Sequence, residues 1–455
     1  MAAIVKELTQ YQDAEKIFFF IKDETYAVFL DSSMENKLGQ YSIIGFDPYL
    51  ILKEEEGIFY HNGKKQKGSL ENYLKKYLKE HYEDNETNLP LTAGAIGYFS
   101  YDYGRKFENI STRHKKEINM PEALVVFYDL FLIEDKKKKK LYLSALGKTQ
   151  DPQKKICTME RIINNLKVEE KKQMEHKMPA AYTSDFSKED YQAAIEAMKH
   201  YMREGDIYVA NMTRRMKVES KKDPYEVFQY IRKFNPSPFG GFLQYGDFQI
   251  VSASMERFLQ IKNGWAVTRP IKGTRKRGRT KEEDEFLEQE LQESTKDRSE
   301  LLMIVDLERN DFHRICEPGT VEVTKHFEVE TYATVFHLIS EIRGKLKEGY
   351  GAVDLLSCAF PGGSITGAPK IRAMEIIDEL ERSQRGLYTG SIGYFSLNGD
   401  CDLNIVIRTL VVQNGIYHLG VGGGITYESD TAFEYEETIQ KAKALLLALG
   451  NGEEE

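Results

Sequence analysis

Short apolar runs broken by turn residues dominate residues 1–145, and they predict strands at 17–21, 26–30 and 124–128. A polar stretch at 167–177 predicts a linker over 146–184. The period then changes. Ser187 is placed to cap a helix with Asp190 three residues on, and Tyr191, Ile195, Met198 and Met202 follow at helical spacing. After Gly205 the segment 207–212 predicts a strand. Helices are expected at 299–305, 369–380 and 433–449, and strands at 403–412 and 416–421. This mixture predicts an α+β protein with large, mostly antiparallel sheets, and a second region over 185–450. One echo is visible: Gly94-Ala95-Ile96-Gly97-Tyr98-Phe99-Ser100 against Gly390-Ser391-Ile392-Gly393-Tyr394-Phe395-Ser396. A single heptad does not establish a duplication.

The length of 455 residues, with 27 tyrosines and 24 phenylalanines, allows a large core. No run is long and apolar enough for a membrane span, and residues 1–7 lack the pattern of a signal peptide. A soluble, cytoplasmic protein is expected, with no membrane partner. Cys157, Cys316, Cys358 and Cys401 show neither metal-ligand nor redox spacing. The net charge of −9 argues against a nucleic-acid partner, and the lysine run 136–140 fits a solvated hairpin turn.

Four constellations could carry chemistry. Glu434, Glu437 and Lys441 share one helix face and follow the glycine run Gly422-Gly423-Gly424. Carboxylates near exposed backbone amides suit Mg²⁺ with an anionic ligand, although a surface salt bridge also explains the spacing. Asp297 and Glu300 form a second acidic pair, where Mg²⁺ would need one carboxylate from each helix. The glycine-rich loop 360–370 runs into a proline-led helix, which favours a small anion, and it is not a Walker A loop. Finally, Glu256 ends one apolar segment and Lys272 ends the next, after Pro270 and before Gly273. On adjacent strands they could face one cavity as general acid and nucleophile, or form a plain salt bridge.

Together these segments resemble the chorismate-utilising enzymes. That family includes component I of anthranilate synthase, component I of aminodeoxychorismate synthase, and the isochorismate and salicylate synthases. The motifs carrying the resemblance are Pro270-Ile271-Lys272-Gly273-Thr274, the segments 302–311 and 360–370, Ile407-Arg408-Thr409 and Glu437-Thr438-Ile439-Gln440-Lys441. The resemblance implies two large, mostly antiparallel sheets packed face to face with helices outside. It makes 185–450 the chorismate-binding catalytic region and 1–145 an anthranilate-synthase-like region. It also implies Mg²⁺ on Glu300 and Glu437, with Glu434 beside them. Tyr388, Arg408 and Lys441 would bind the substrate's carboxylates, aided by Gly273, Thr274 and the backbone amides of Gly422 and Gly424. His337 would lie beside the ring, and Glu256 would protonate the departing C4 hydroxyl.

Lysine at position 272 is the mark of the aminodeoxychorismate branch, where anthranilate synthases usually carry alanine. The resemblance therefore implies amination of chorismate through a covalent Lys272 intermediate, on the route to 4-aminobenzoate and folate. Val209 replaces the base lysine of the water-adding members and also departs from the glutamine of many ammonia users. No glutaminase motif surrounds any cysteine, so ammonia would come from a separate glutamine amidotransferase subunit. The product would pass to a separate aminodeoxychorismate lyase. Asp31, Ser32, Tyr41, Ser42 and Pro236 resemble the elements of a tryptophan pocket, with aspartate where glutamate is usual. The rival readings are anthranilate synthase component I and a non-catalytic chorismate- or tryptophan-binding regulator.

Overall fold

The computed structural model describes residues 3–34, 36–166, 178–332 and 335–450. The polar stretch 167–177 lies outside the described residues. The named strand pairings are antiparallel. One ladder runs without a break from Val209–Glu219 through Ile416–Ile425, Thr409–Gln413, Gln249–Ser254, Phe239–Gln244 and Val28–Asp31 to Tyr41–Glu55. It continues through Ala123–Asp135, Gly94–Phe99, Ser391–Ser396, Cys401–Asn404, Arg257–Lys262 and Trp265–Thr268 to Val335–Lys345. The long strands Tyr41–Glu55 and Ala123–Asp135 form the bend, with a bulge between Pro48 and Leu50.

The ladder folds back on itself as two sheets packed face to face. Val28, Ile96, Tyr98, Val126, Ile250 and Val411 pack together between them. Helices cover the outer faces. Phe18, Ile156, Phe228 and Leu445 from four helices fill one outer core. Leu74, Leu301, Val305 and Leu355 fill the other. The segment 146–184 holds the helix Pro152–Asn165, which is capped by Asp151 and buries Ile156 and Ile163. The regions 1–145 and 185–450 share both ladders and cores, so neither half closes its own sheet.

Several local expectations change. The apolar run expected as a strand at 17–21 overlaps the helix Ala14–Phe18, whose cap Asp13 accepts from the Glu15 amide. Ala14, Ile17 and Phe18 are buried at helical spacing, which the unbroken apolar run conceals. The helix expected at 299–305 extends over Thr295–Ile315. The strand expected at 403–412 is two strands, Cys401–Asn404 and Thr409–Gln413, broken where Arg408 adopts φ +51°.

The glycine echo has a structural reason. The two heptads pair with each other, Gly97 opposite Gly393. A Cβ at Gly393 would lie 2.0 Å from Asp402 O, and one at Gly97 would lie 2.2 Å from Leu124 O. These pairs join the N-terminal and C-terminal regions at the centre of the ladder. Gly393→Ala is expected to cost about 2 kcal/mol, because the clash is with backbone. Gly351→Ala, where nothing lies within 4 Å and only the N-cap of the helix Ala352–Ala359 changes, should cost no more than about 1 kcal/mol. Urea unfolding of both variants checks this.

Candidate active site

Lys272 lies on the strand Ile271–Lys276, which pairs with Val335–Lys345. The register breaks between Lys272 and Thr274, so Lys272 faces Leu338 and Thr274 faces His337. Gly273 makes this bulge at φ +72°, and a Cβ there would lie 2.9 Å from the Asp297 carboxyl. The half-buried Lys272 Nζ donates to Ser364 O at 3.1 Å. The Ser364 hydroxyl donates to Glu256 Oε1 at 2.8 Å. One residue therefore touches both candidate groups. Burial raises the Glu256 pKa, while Ser364, Lys272 and the Ile271 amide oppose the rise.

The glycine run forms a wall of the same cavity. A Cβ at Gly424 would lie 3.1 Å from Lys272 Nζ and 3.9 Å from Glu300 Oε2. At Gly423 it would lie 2.8 Å from Glu437 Oε2 and 3.2 Å from Glu434 Oε2. Gly422 sits opposite Thr213, and its carbonyl accepts from Lys441 Nζ at 2.9 Å. Lys441 also pairs with Glu437 at 2.9 Å. Glu434 accepts from the Ser429 hydroxyl at 2.8 Å. Burial raises the pKa of both Glu300 and Glu434, and Glu437 pushes both further up.

Among the described residues, no group of three His, Cys, Asp or Glu side chains is disposed to hold a metal ion by itself. Mg²⁺ needs only one or two protein carboxylates and takes its other oxygens from water and ligand. Three carboxyl groups gathered beside a side-chain-free wall fit that requirement.

The cationic side of the cavity is built from Arg408. Among the described residues its guanidinium has no hydrogen-bond or ion-pair partner, and burial holds its pKa below the usual value. Tyr388 and Glu437 act on it from the same cavity. An unpaired, half-buried guanidinium is a receptor for a carboxylate. The Tyr388 ring occupies the space a side chain at Gly420 would fill, with Cγ 2.1 Å from that Cβ position. His337 is buried, and its Nδ1 lies 2.9 Å from the Thr274 hydroxyl. Burial first, then Arg408, lowers its pKa to about 4, so the ring is neutral at pH 7.

The fold thus gathers Lys272, Gly273, Thr274, Glu256, His337, Tyr388, Arg408, Gly422, Gly424 and Lys441 around one cavity with Glu300, Glu434 and Glu437. Ser364 was missed as a functional residue; its signal was only the glycine-rich loop. Lys370 ends that glycine-rich loop. It is buried against Asp311 Oδ2 at 2.7 Å and Ala359 O at 2.9 Å. Val209 is buried and pairs with Ala368.

A separate cavity of about 90 Å³ is lined by Asp31, Ser32, Tyr41, Pro238 and Phe239, among others. Ser42 supports it by donating to Asp31 Oδ1 at 3.0 Å. Pro236 is exposed and does not line it; Pro238 takes that place, because the chain turns inward only after Pro236. Asp31 already binds Lys136 at 3.1 Å and Arg232 at 2.8 Å. A ligand ammonium would compete with two cations there.

The chorismate binding enzyme family matches residues 29–447. Aminodeoxychorismate synthase component 1 of Bacillus subtilis (strain 168) is 36% identical over 426 residues, 92% of this chain and 91% of its own length. Anthranilate synthase component 1 of Acetivibrio thermocellus is 37% identical over 465 residues, 96% of this chain and 94% of its own. The crystal structure of anthranilate synthase component I from Streptococcus pneumoniae TIGR4 superimposes with a TM-score of 0.82 at 32% identity. It covers 91% of this chain and 93% of that one. The chain belongs to the chorismate binding enzyme family, and it is a chorismate-utilising enzyme. Among the described residues no helix is long and apolar enough to cross a membrane.

Neutral His337 carries a pH signature. Its folded pKa of about 4 lies below the unfolded value, so its contribution is complete above pH 6.5 and lost as pH falls through 4. The loss is expected to be on the order of 3 kcal/mol at most. Urea unfolding between pH 7 and 4 should show a shallower decline for His337→Asn than for the parent.

Proposed function

We propose that this chain is the aminating component of an aminodeoxychorismate synthase, converting chorismate and ammonia to 4-amino-4-deoxychorismate. The observation that carries this is Lys272, whose amine is aimed by Ser364 into the cavity that also holds Glu256 and Glu300. An alanine there would leave the cavity with no nucleophile beside the acid.

The residues divide the work as follows. Arg408 binds one substrate carboxylate, Tyr388 and Lys441 assist, and His337 packs beside the ring as a neutral imidazole. Glu300 and Glu437, with Glu434 beside them, would hold Mg²⁺, which supplies charge neutralisation for the ring carboxylate. The Lys272 nitrogen forms a bond to C2 through its lone pair as the ring double bond shifts and the C4–O bond breaks. Glu256 gives its proton to the departing hydroxyl, which leaves as water. Ammonia then forms a bond to C4, the double bond shifts back, and the C2–N bond to Lys272 breaks. The new ammonium returns a proton to Glu256. The net change is chorismate plus ammonia to aminodeoxychorismate plus water. A separate glutamine amidotransferase would supply the ammonia, and an aminodeoxychorismate lyase would take the product onward to 4-aminobenzoate.

The test uses the purified chain with chorismate, Mg²⁺ and an ammonium salt, with products identified by mass spectrometry. An aminated chorismate that added lyase turns into 4-aminobenzoate is expected. Anthranilate with pyruvate would instead make this an anthranilate synthase. Lys272→Ala should aminate at least about 100-fold more slowly. A variant as fast as the parent would remove Lys272 as nucleophile.

A further inference from the structure

Glu308 is buried two turns beyond Glu300 on the helix Thr295–Ile315, and the reaction described above does not use it. Thr268 Oγ1 lies 2.8 Å from Phe258 O and 2.9 Å from Glu308 Oε2. A hydroxyl has one proton to give, and a carbonyl and a carboxylate both only accept. Both short approaches are hydrogen bonds only when Glu308 carries its own proton. It then donates to Thr268, and Thr268 donates to Phe258 O.

Glu308 also packs against the loop that holds Glu256. Its Cγ lies 3.6 Å from the Cβ position of Gly363. The next residue, Ser364, donates to Glu256 at 2.8 Å. The charged groups that act on Glu308 are Glu256, Asp311 and Lys370. Lys370 is already bound to Asp311 at 2.7 Å, so neither is free to pair with Glu308. Burial pushes the Glu308 carboxyl up to about 8, with Glu256 and Asp311 adding and Lys370 opposing.

We propose that Glu308 is a positioning residue for Glu256, a carboxyl kept protonated behind the Ser364 loop so that Glu256 can release its proton without a second anion beside it. The inference rests on the reading of Glu256 as the acid for the C4 hydroxyl. When Glu308 ionises, proton release from Glu256 places two negative charges in one buried space, and the acid weakens. Turnover therefore falls as pH rises through the titration of Glu308.

Glu308→Gln is the test, because glutamine keeps the volume, donates to Thr268 and cannot ionise. Chorismate consumption is measured in parent and variant between pH 6.5 and 9 at each ammonium concentration. The ratio of the two rates cancels the titration of ammonia and of the groups common to both proteins. That ratio, variant over parent, is expected to rise about tenfold across the range, as a group titrating near 8 ionises. A flat ratio overturns the inference. Melting temperature gives a second readout, since a buried carboxyl with a raised pKa destabilises the fold as pH rises. The parent should lose more between pH 6.5 and 9 than the variant, and equal losses also overturn the inference. Glu256→Gln separates the two levels of the account. If it consumes chorismate at the parent rate, the assignment of the acid fails. If it is inactive while the Glu308→Gln ratio stays flat, only the role of Glu308 fails.

Discussion

Gly422, Gly423 and Gly424 lie in the ten-residue pairing of Val209–Glu219 with Ile416–Ile425, opposite Thr213, Met212 and Asn211. Because they lack side chains, acids from two helices and an amine from another strand can converge on one stretch of backbone. The carboxylates of Glu434 and Glu437 and the amines of Lys272 and Lys441 lie within 3.5 Å of where methyl groups would stand at Gly423 or Gly424. Any larger residue would displace a charged group. Gathering such groups away from water is unfavourable by itself. The rigidity that holds them comes from the continuous antiparallel ladder and from the apolar layer between its two halves.

The charges of the cavity are arranged for what enters it. Burial, and then the neighbouring Glu437 carboxylate, raises the pKa of Glu300 and of Glu434, which is the signature of a site that lacks a cation. Arg408 has no carboxylate among the described residues, which is the signature of a site that lacks an anion. Mg²⁺ and a substrate dianion would complete both sets together. Neutral groups fill the space between. His337 is held uncharged by burial and by Arg408, and Glu256 is biased toward its acid form. In the proposed reaction, a lysine amine and an acid linked through one serine carry the bond exchange at an allylic ring.

Some of this was legible in the sequence. The glycine after Lys272 requires positive φ, and the glycine run before the acidic helix requires close approach, so both features pointed to the cavity. The Ser187 cap forms as its spacing implied, with Asp190 N bonded to the hydroxyl. What stayed hidden depended on distant pairing. Ser364 matters only because its loop crosses both Glu256 and Lys272. Arg408 is presented by a strand break that its apolar neighbours disguise. The paired glycine heptads are far apart in the chain, with Gly94 opposite Ser396 and Phe99 opposite Ser391. The helix Ala14–Phe18 is hidden because its last two residues, Ile17 and Phe18, begin the consecutive apolar run 17–21, while its Asp13 cap lies outside that run.

The central claim is that Lys272 itself bonds to the substrate. Intact-mass and peptide mapping of the chain mixed with chorismate and Mg²⁺, without any ammonia source, tests it most directly. The account predicts an adduct of chorismate less water on the peptide containing Lys272, discharged when ammonium is added. An unmodified Lys272 peptide in protein that then aminates chorismate normally would contradict it.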